Sequence, residues 1–131
     1  MTSGSRGWAK YYSSEGALFI RIGNLDYGTT ELDLREKQFV APPVGAEGIR
    51  TRVRPGDLLV SITGDTGMVG LAPEGLGDAY INQHVALARP AIPETAPYLA
   101  LAFTSPCSLT QLWGAQRGVK NSLGLGEALS T

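Results

Sequence analysis

Residues 54–67 read RPGDLLVSITGDTG, an apolar stretch fenced at both ends by residues that turn the chain. Proline presets φ and the glycine after it accepts a positive φ, so Pro55-Gly56 suits the centre of a tight turn. Residues 57–63 (DLLVSIT) read as a buried strand. Gly64 and Gly67 then turn the chain into a second apolar run at 68–72. The same punctuation recurs throughout: 17 glycines and 8 prolines in 131 residues cut the sequence into short elements. That favours a strand-rich or mixed fold over a helical bundle.

Applied along the chain, this reasoning makes residues 1–15 a polar extended arm or loop and 17–25 (ALFIRIGNL) a buried strand ending at an Asn-bearing turn. Residues 32–40 fit neither period, and Pro42-Pro43 with Gly45 imposes a loop. Residues 49–54 alternate, with Ile49, Thr51 and Val53 on one face and Arg50, Arg52 and Arg54 on the other, the signature of a half-buried strand. Residues 79–89 (AYINQHVALAR) read as one strand with Val85 and Leu87 inward. Helix signals come late. Thr95 can cap, with Pro97 in the first turn, ahead of 98–104. Ser105-Pro106 repeats that signal for 108–116, and Gly118 stops it. Residues 121–126 suit a last strand. The expected class is α+β: about six strands, then two short helices near the C-terminus, in one domain of 131 residues.

The residue inventory removes whole classes of chemistry. A single cysteine, Cys107, forms no internal disulfide, and with one histidine, His84, it builds no zinc site. Residues 1–10 lack an apolar signal core, and the longest apolar stretches, such as 98–103, are far too short to span a bilayer. A cytoplasmic protein without membrane contact or a cofactor of its own is therefore expected. No phosphate-binding loop, no G-x-S-x-G elbow and no nuclease acid pair is present. The Pro42-Pro43 pair follows Ala41 and precedes Val44, so it lacks the acid or amide and the aromatic of an adenine methyltransferase. One catalytic signature occurs: Asp65-Thr66-Gly67 after an apolar strand resembles a retropepsin-like aspartic protease, in which two such carboxylates share a proton. Gly64 before it and Met68 after it depart from that pattern, and a structural glycine turn accounts for the same residues.

Cations cluster in three places. Arg50, Arg52 and Arg54 offer forked donors that suit phosphates and guanine edges, although a charged edge strand that resists association has the same composition. Residues 6–12 (RGWAKYY) interleave basic and aromatic side chains, as DNA contacts do; an aromatic arm folded onto the core reads alike. Residues 117–121 (RGVKN) form a second basic loop, equally suited to end a helix. The net charge of −1 is low for a nucleic-acid binder.

Six stretches together resemble the specificity subunit of type I restriction-modification systems: SGSRGWAKYY (3–12), GALFIRIGNLD (16–26), RPGDLLVSITGDTG (54–67), AYINQHVALARP (79–90), PYLALAFTSP (97–106) and GVKNSLGL (118–125). They follow the family's order and cover nearly the whole chain. The resemblance implies a target-recognition domain on a curved, mostly antiparallel sheet, with no chemistry of its own. It reads double-stranded DNA beside modification subunits, which methylate adenine with S-adenosylmethionine, and motor-nuclease restriction subunits, which use ATP. The long helical spacer of full-length members is missing here, as is the strand that normally precedes residues 3–12, so the chain looks like a truncated, split or excised unit. Candidate DNA-contacting residues are Arg6, Lys10, Tyr12, Ser13, Arg50, Arg52, Thr66, Arg117, Lys120 and Asn121. Gly56, Asp57, Gly64, Asn82 and Gln83 are expected to hold the scaffold, with His84 packed beside them. The reading requires Arg50, Arg52, Arg117 and Lys120 to share one polar surface. Isolated binding is expected to be no tighter than roughly micromolar at physiological salt.

Overall fold

In the computed structural model the residues described are 2–4, 6–42, 45–105 and the backbone of 116–117 and 122–123. Two four-stranded sheets face each other across the main core. The first contains β1 (Thr2–Ser3), β8 (Val85–Ala88), β5 (Leu58–Ser61) and β6 (Val69–Leu71) in that order, with every neighbouring pair antiparallel. The second contains β2 (Tyr12–Ser13), β4 (Gln38–Val40), β3 (Ala17–Ile20) and β7 (Ala79–Ile81). Its β2–β4 and β4–β3 pairs are antiparallel, whereas β3 and β7 run parallel. A separate antiparallel pair joins β9 (Gln116–Arg117) to β10 (Ser122–Leu123). The expected α+β class is what forms, as two packed sheets rather than one curved sheet.

Strand alternation explains the layering. Leu18 and Ile20 of β3, Ala79 and Ile81 of β7, Leu59 of β5, and Val85 and Leu87 of β8 point between the sheets. Leu58 and Val60 point the other way, with Val69 and Leu71, onto α2 (Ala96–Phe103), which seats Ala100, Leu99 and Phe103 against them. Ala17 and Phe19 face outward and are covered by Trp8 from the 3-10 turn Trp8–Tyr11. The strand expected at 57–63 is thus β5, buried on both faces because one face meets a helix and the other a sheet. Leu58, Leu59, Ile20 and Ile81 are nearly inaccessible, each contributing about 1.5–3 kcal/mol of burial.

Three local expectations are corrected. The alternating segment 49–54 is not a strand: α1 (Ala46–Arg50) takes its first two residues, and only Arg52 forms a single antiparallel bridge, to Tyr80. Thr51 and Val53 do face inward, but Ile49 is 77% exposed, so the period of two covers too few residues to set the backbone. Residues 79–89 break into β7 and β8, which lie in different sheets. Asn82 makes the break: its Oδ1 accepts the His84 N–H at 3.1 Å and its carbonyl accepts the Val85 N–H at 3.2 Å, an Asn-anchored turn. Thr95 does not cap α2. It ends a 3-10 turn, Pro93–Thr95, and its hydroxyl donates to the Ile92 carbonyl at 2.6 Å. Of the second expected helix, residues 108–115 and the Gly118 stop lie outside the described residues, and Gln116 sits in β9.

Candidate nucleic-acid interface

The turn 54–57 forms as its sequence dictates. Gly56 has φ +87°, and the Asp57 N–H donates back to the Arg54 carbonyl at 3.0 Å. Asp57 is 1% exposed. Its Oδ2 accepts the Arg54 N–H at 2.7 Å and Arg89 Nη2 at 2.7 Å, and its Oδ1 accepts Arg89 Nε at 2.8 Å. These hydrogen bonds hold the Arg89 guanidinium above its ordinary pKa, against the opposing effect of burial. The second turn is equally built. Ser61 Oγ donates to the Asp65 carbonyl at 2.6 Å and accepts the Met68 N–H at 2.9 Å, with Gly64 at φ +70°. Tyr27 adds a hydroxyl bond to the Thr66 carbonyl at 2.7 Å.

Thr66, expected among the DNA contacts, is 0% exposed and packed beneath that turn, so it presents nothing to a groove. The Asp65-Thr66-Gly67 stretch is a turn closed by Ser61, with the Asp65 side chain on the surface.

The three-arginine stripe does not form. Arg50 ends α1 and donates from Nη1 to Thr2 Oγ1 and, at 2.6 Å, to the Ser3 carbonyl, latching β1. Arg52 pairs with Asp78 at 2.6 Å, both side chains more than half exposed. One cation braces a strand and the other pairs with an acid, both from the surface of the segment 49–54. The side chain of Arg117, and Lys120 and Asn121 altogether, lie outside the described residues.

The N-terminal arm divides by residue. Trp8 is buried, stacked on Phe19 at 5.8 Å and tilted against Tyr80 at 5.4 Å. Arg6 and Lys10 remain exposed, Lys10 Nζ lying 5.1 Å from the centre of the Tyr11 ring. Tyr12 is 44% exposed over Phe19, and the half-buried Ser13 accepts the Glu15 N–H at 3.3 Å. The arm is pinned because Gly4 runs so close to β7 that an added Cβ would lie 2.0 Å from the Asn82 carbonyl oxygen. Gln83 and His84, in the following turn, are half-buried.

A cleft of about 380 Å³ opens beyond the end of β3, lined by Arg21, Gly23, Asn24, Asp33, Arg35 and Glu36. Asn24, 3% exposed, pins its two walls: Oδ1 accepts the Arg21 N–H at 2.9 Å, and Nδ2 donates to the carbonyls of Asp33 at 2.8 Å and Glu36 at 3.1 Å. Arg35 forks onto Asp33, Nε to Oδ1 at 2.9 Å and Nη2 to Oδ2 at 2.6 Å. That pair, with the Arg35 N–H, draws the Asp33 pKa down to about 2. Arg21 is half-buried, and its Nε is closed off with no hydrogen-bond partner among the described residues. It was not among the sequence candidates. The available signal was a lone cation after the apolar residues 17–20 of the run ALFIRIGNL.

Among the described residues no three His, Cys, Asp or Glu side chains gather as metal ligands, and no helix is long and apolar enough to cross a membrane. No family model and no curated protein matches the sequence. Among solved structures, one from work on complex assembly and conformational transition of the type I R-M system superposes on 98% of this chain. Its TM-score is 0.62 at 18% identity, and this chain spans 29% of that chain's length. The two share a fold: mixed α+β, with antiparallel sheets and a short helix toward the C-terminus.

Proposed function

We propose that this chain is a target-recognition domain of a type I restriction-modification specificity subunit, which reads a short duplex DNA sequence and performs no reaction itself. The observation that carries the reading is the fold likeness across 98% of the chain to part of a chain from a type I R-M structure. The six stretches quoted from the sequence resemble the same family, which supports the reading. Modification and motor-nuclease subunits are the proposed protein partners, with S-adenosylmethionine and ATP used by them. The exposed side chains Arg6, Lys10 and Tyr12 supply a cationic and aromatic surface for the duplex. With a net charge of −1, few phosphates are neutralised, so isolated binding is weak and its salt slope modest. Selection from a random duplex pool, read by sequencing, tests the reading: an enriched short motif supports it, and an unenriched pool opposes it.

A further inference from the structure

The Arg21 cleft has a charge balance that the fold itself does not complete. Asp33 and Arg35 satisfy each other, which leaves Arg21 and Glu36 as the lining charges without an ion-pair partner among the described residues. Glu36 is exposed, so water solvates it. Arg21 is half-buried, and its Nε has neither water access nor an acceptor. Arg21 lines the cleft, and the planar fork of a guanidinium matches a phosphate. Gly23 at the rim has open space where a Cβ would stand, so a ligand backbone can approach closely. The Asn24 bonds keep both walls fixed before anything arrives.

From this geometry we infer that the cleft binds a phosphate oxyanion through Arg21, and that the phosphate is one of the DNA backbone. The inference rests on the DNA-reading proposal for its source of phosphate. Arg35 adds a second cation at the rim while remaining paired with Asp33. Glu36 opposes the anion, so the cleft is weak for free phosphate and depends on the rest of a duplex to bring the group in.

The full chain is titrated with a 30-base-pair duplex of arbitrary sequence, and separately with inorganic phosphate. The readouts are the Arg21 Nε–H nuclear magnetic resonance signal and the salt dependence of duplex binding. The duplex moves the Arg21 signal, whereas millimolar phosphate moves it only slightly. Arg21→Gln weakens duplex binding about tenfold at low salt and lowers the salt slope by about one. Arg21→Lys keeps the charge without the fork and recovers part of that loss. Glu36→Gln, on an exposed residue that folding does not need, tightens binding about two- to threefold. If wild type binds the duplex but Arg21→Gln, with an unchanged unfolding midpoint, and Glu36→Gln both bind identically to it, the inference fails and the DNA-reading proposal stands. If no duplex binds at low salt while phosphate saturates the Arg21 signal, the DNA source is overturned along with the DNA-reading proposal.

Discussion

Arg89 Nε and Nη2 grip the two carboxylate oxygens of Asp57 at 2.8 and 2.7 Å, joining the end of β8 to the turn that starts β5. Asp57 is almost wholly buried, whereas the Arg89 side chain is 42% exposed. Removing the arginine strands a buried carboxylate, a loss of about 3–5 kcal/mol when both partners are fully buried. Solvent reaches Arg89, so Arg89→Met is expected to cost nearer 2 kcal/mol, roughly, by the same reasoning. Asp57→Asn removes the charge and keeps an acceptor, and is expected to cost less. Urea unfolding of both variants checks the order, which a surface role for the pair would erase.

Ser61 Oγ closes the Asp65 turn, donating to the Asp65 carbonyl within it and accepting the Met68 N–H just before β6. Ser61→Ala leaves the Met68 N–H and the Asp65 carbonyl without that partner, a loss of about 1–3 kcal/mol. Asp65→Asn changes only a surface side chain and is expected to shift stability by less than about 0.5 kcal/mol. Thermal unfolding of the two variants distinguishes a structural turn from a catalytic one: peptide cleavage lost in Asp65→Asn would restore the protease reading.

Gly70 faces the main core from β6, where an added Cβ would lie 2.5 Å from Leu32 Cδ2 and 2.7 Å from Leu25 Cδ2. Both neighbours are side-chain ends able to shift, so Gly70→Ala is expected to cost about 1–3 kcal/mol. Gly4→Ala meets a backbone carbonyl that cannot give way, and the expected outcome is release of β1 from β8. Hydrogen exchange at the β1–β8 amides measures that release, with the β5–β6 amides as the unaffected reference.

Asp33 titrates at about 2 in the fold, against an ordinary value of 3.8. A lowered acid stabilises the fold fully above its unfolded pKa, and the contribution is lost as the pH falls through the folded one. The Asp33–Arg35 pair is therefore expected to persist at pH 3.5 and to open near pH 2. The Asp33 carboxyl carbon shift, followed by nuclear magnetic resonance from pH 6 to pH 1.5, measures this. Arg35→Gln returns the midpoint toward 3.8.

Elements written in local chemistry were legible in the sequence. Pro55, Gly56 and the apolar run after them specify the turn and β5, because φ preferences and burial act within a few residues. Trp8 was read with both of its fates open, and the structure buries it on Phe19 while leaving Lys10 and Tyr12 outside. What failed depended on distant partners. The 49–54 alternation looked like a strand, but β7 offers it a single bridge at Tyr80 while Arg50 reaches back to β1. The split of 79–89 depends on one Asn82 side chain bonding a backbone N–H two residues on. With 49–54 not a strand, what supports DNA reading is the fold likeness, the six sequence stretches and the surface of the N-terminal arm. Arg21 escaped notice because only the folded cleft separates its Nε from any acceptor.

The central claim is tested most directly by fluorescence anisotropy of a labelled duplex as salt is lowered from 200 to about 20 mM, a range over which counterion release must act. The account predicts weak binding, no tighter than roughly micromolar at physiological salt, that strengthens steadily as salt falls, with a log–log slope of only a few charges. A duplex that stays unbound at the lowest salt would contradict it, and so would a tight complex indifferent to salt.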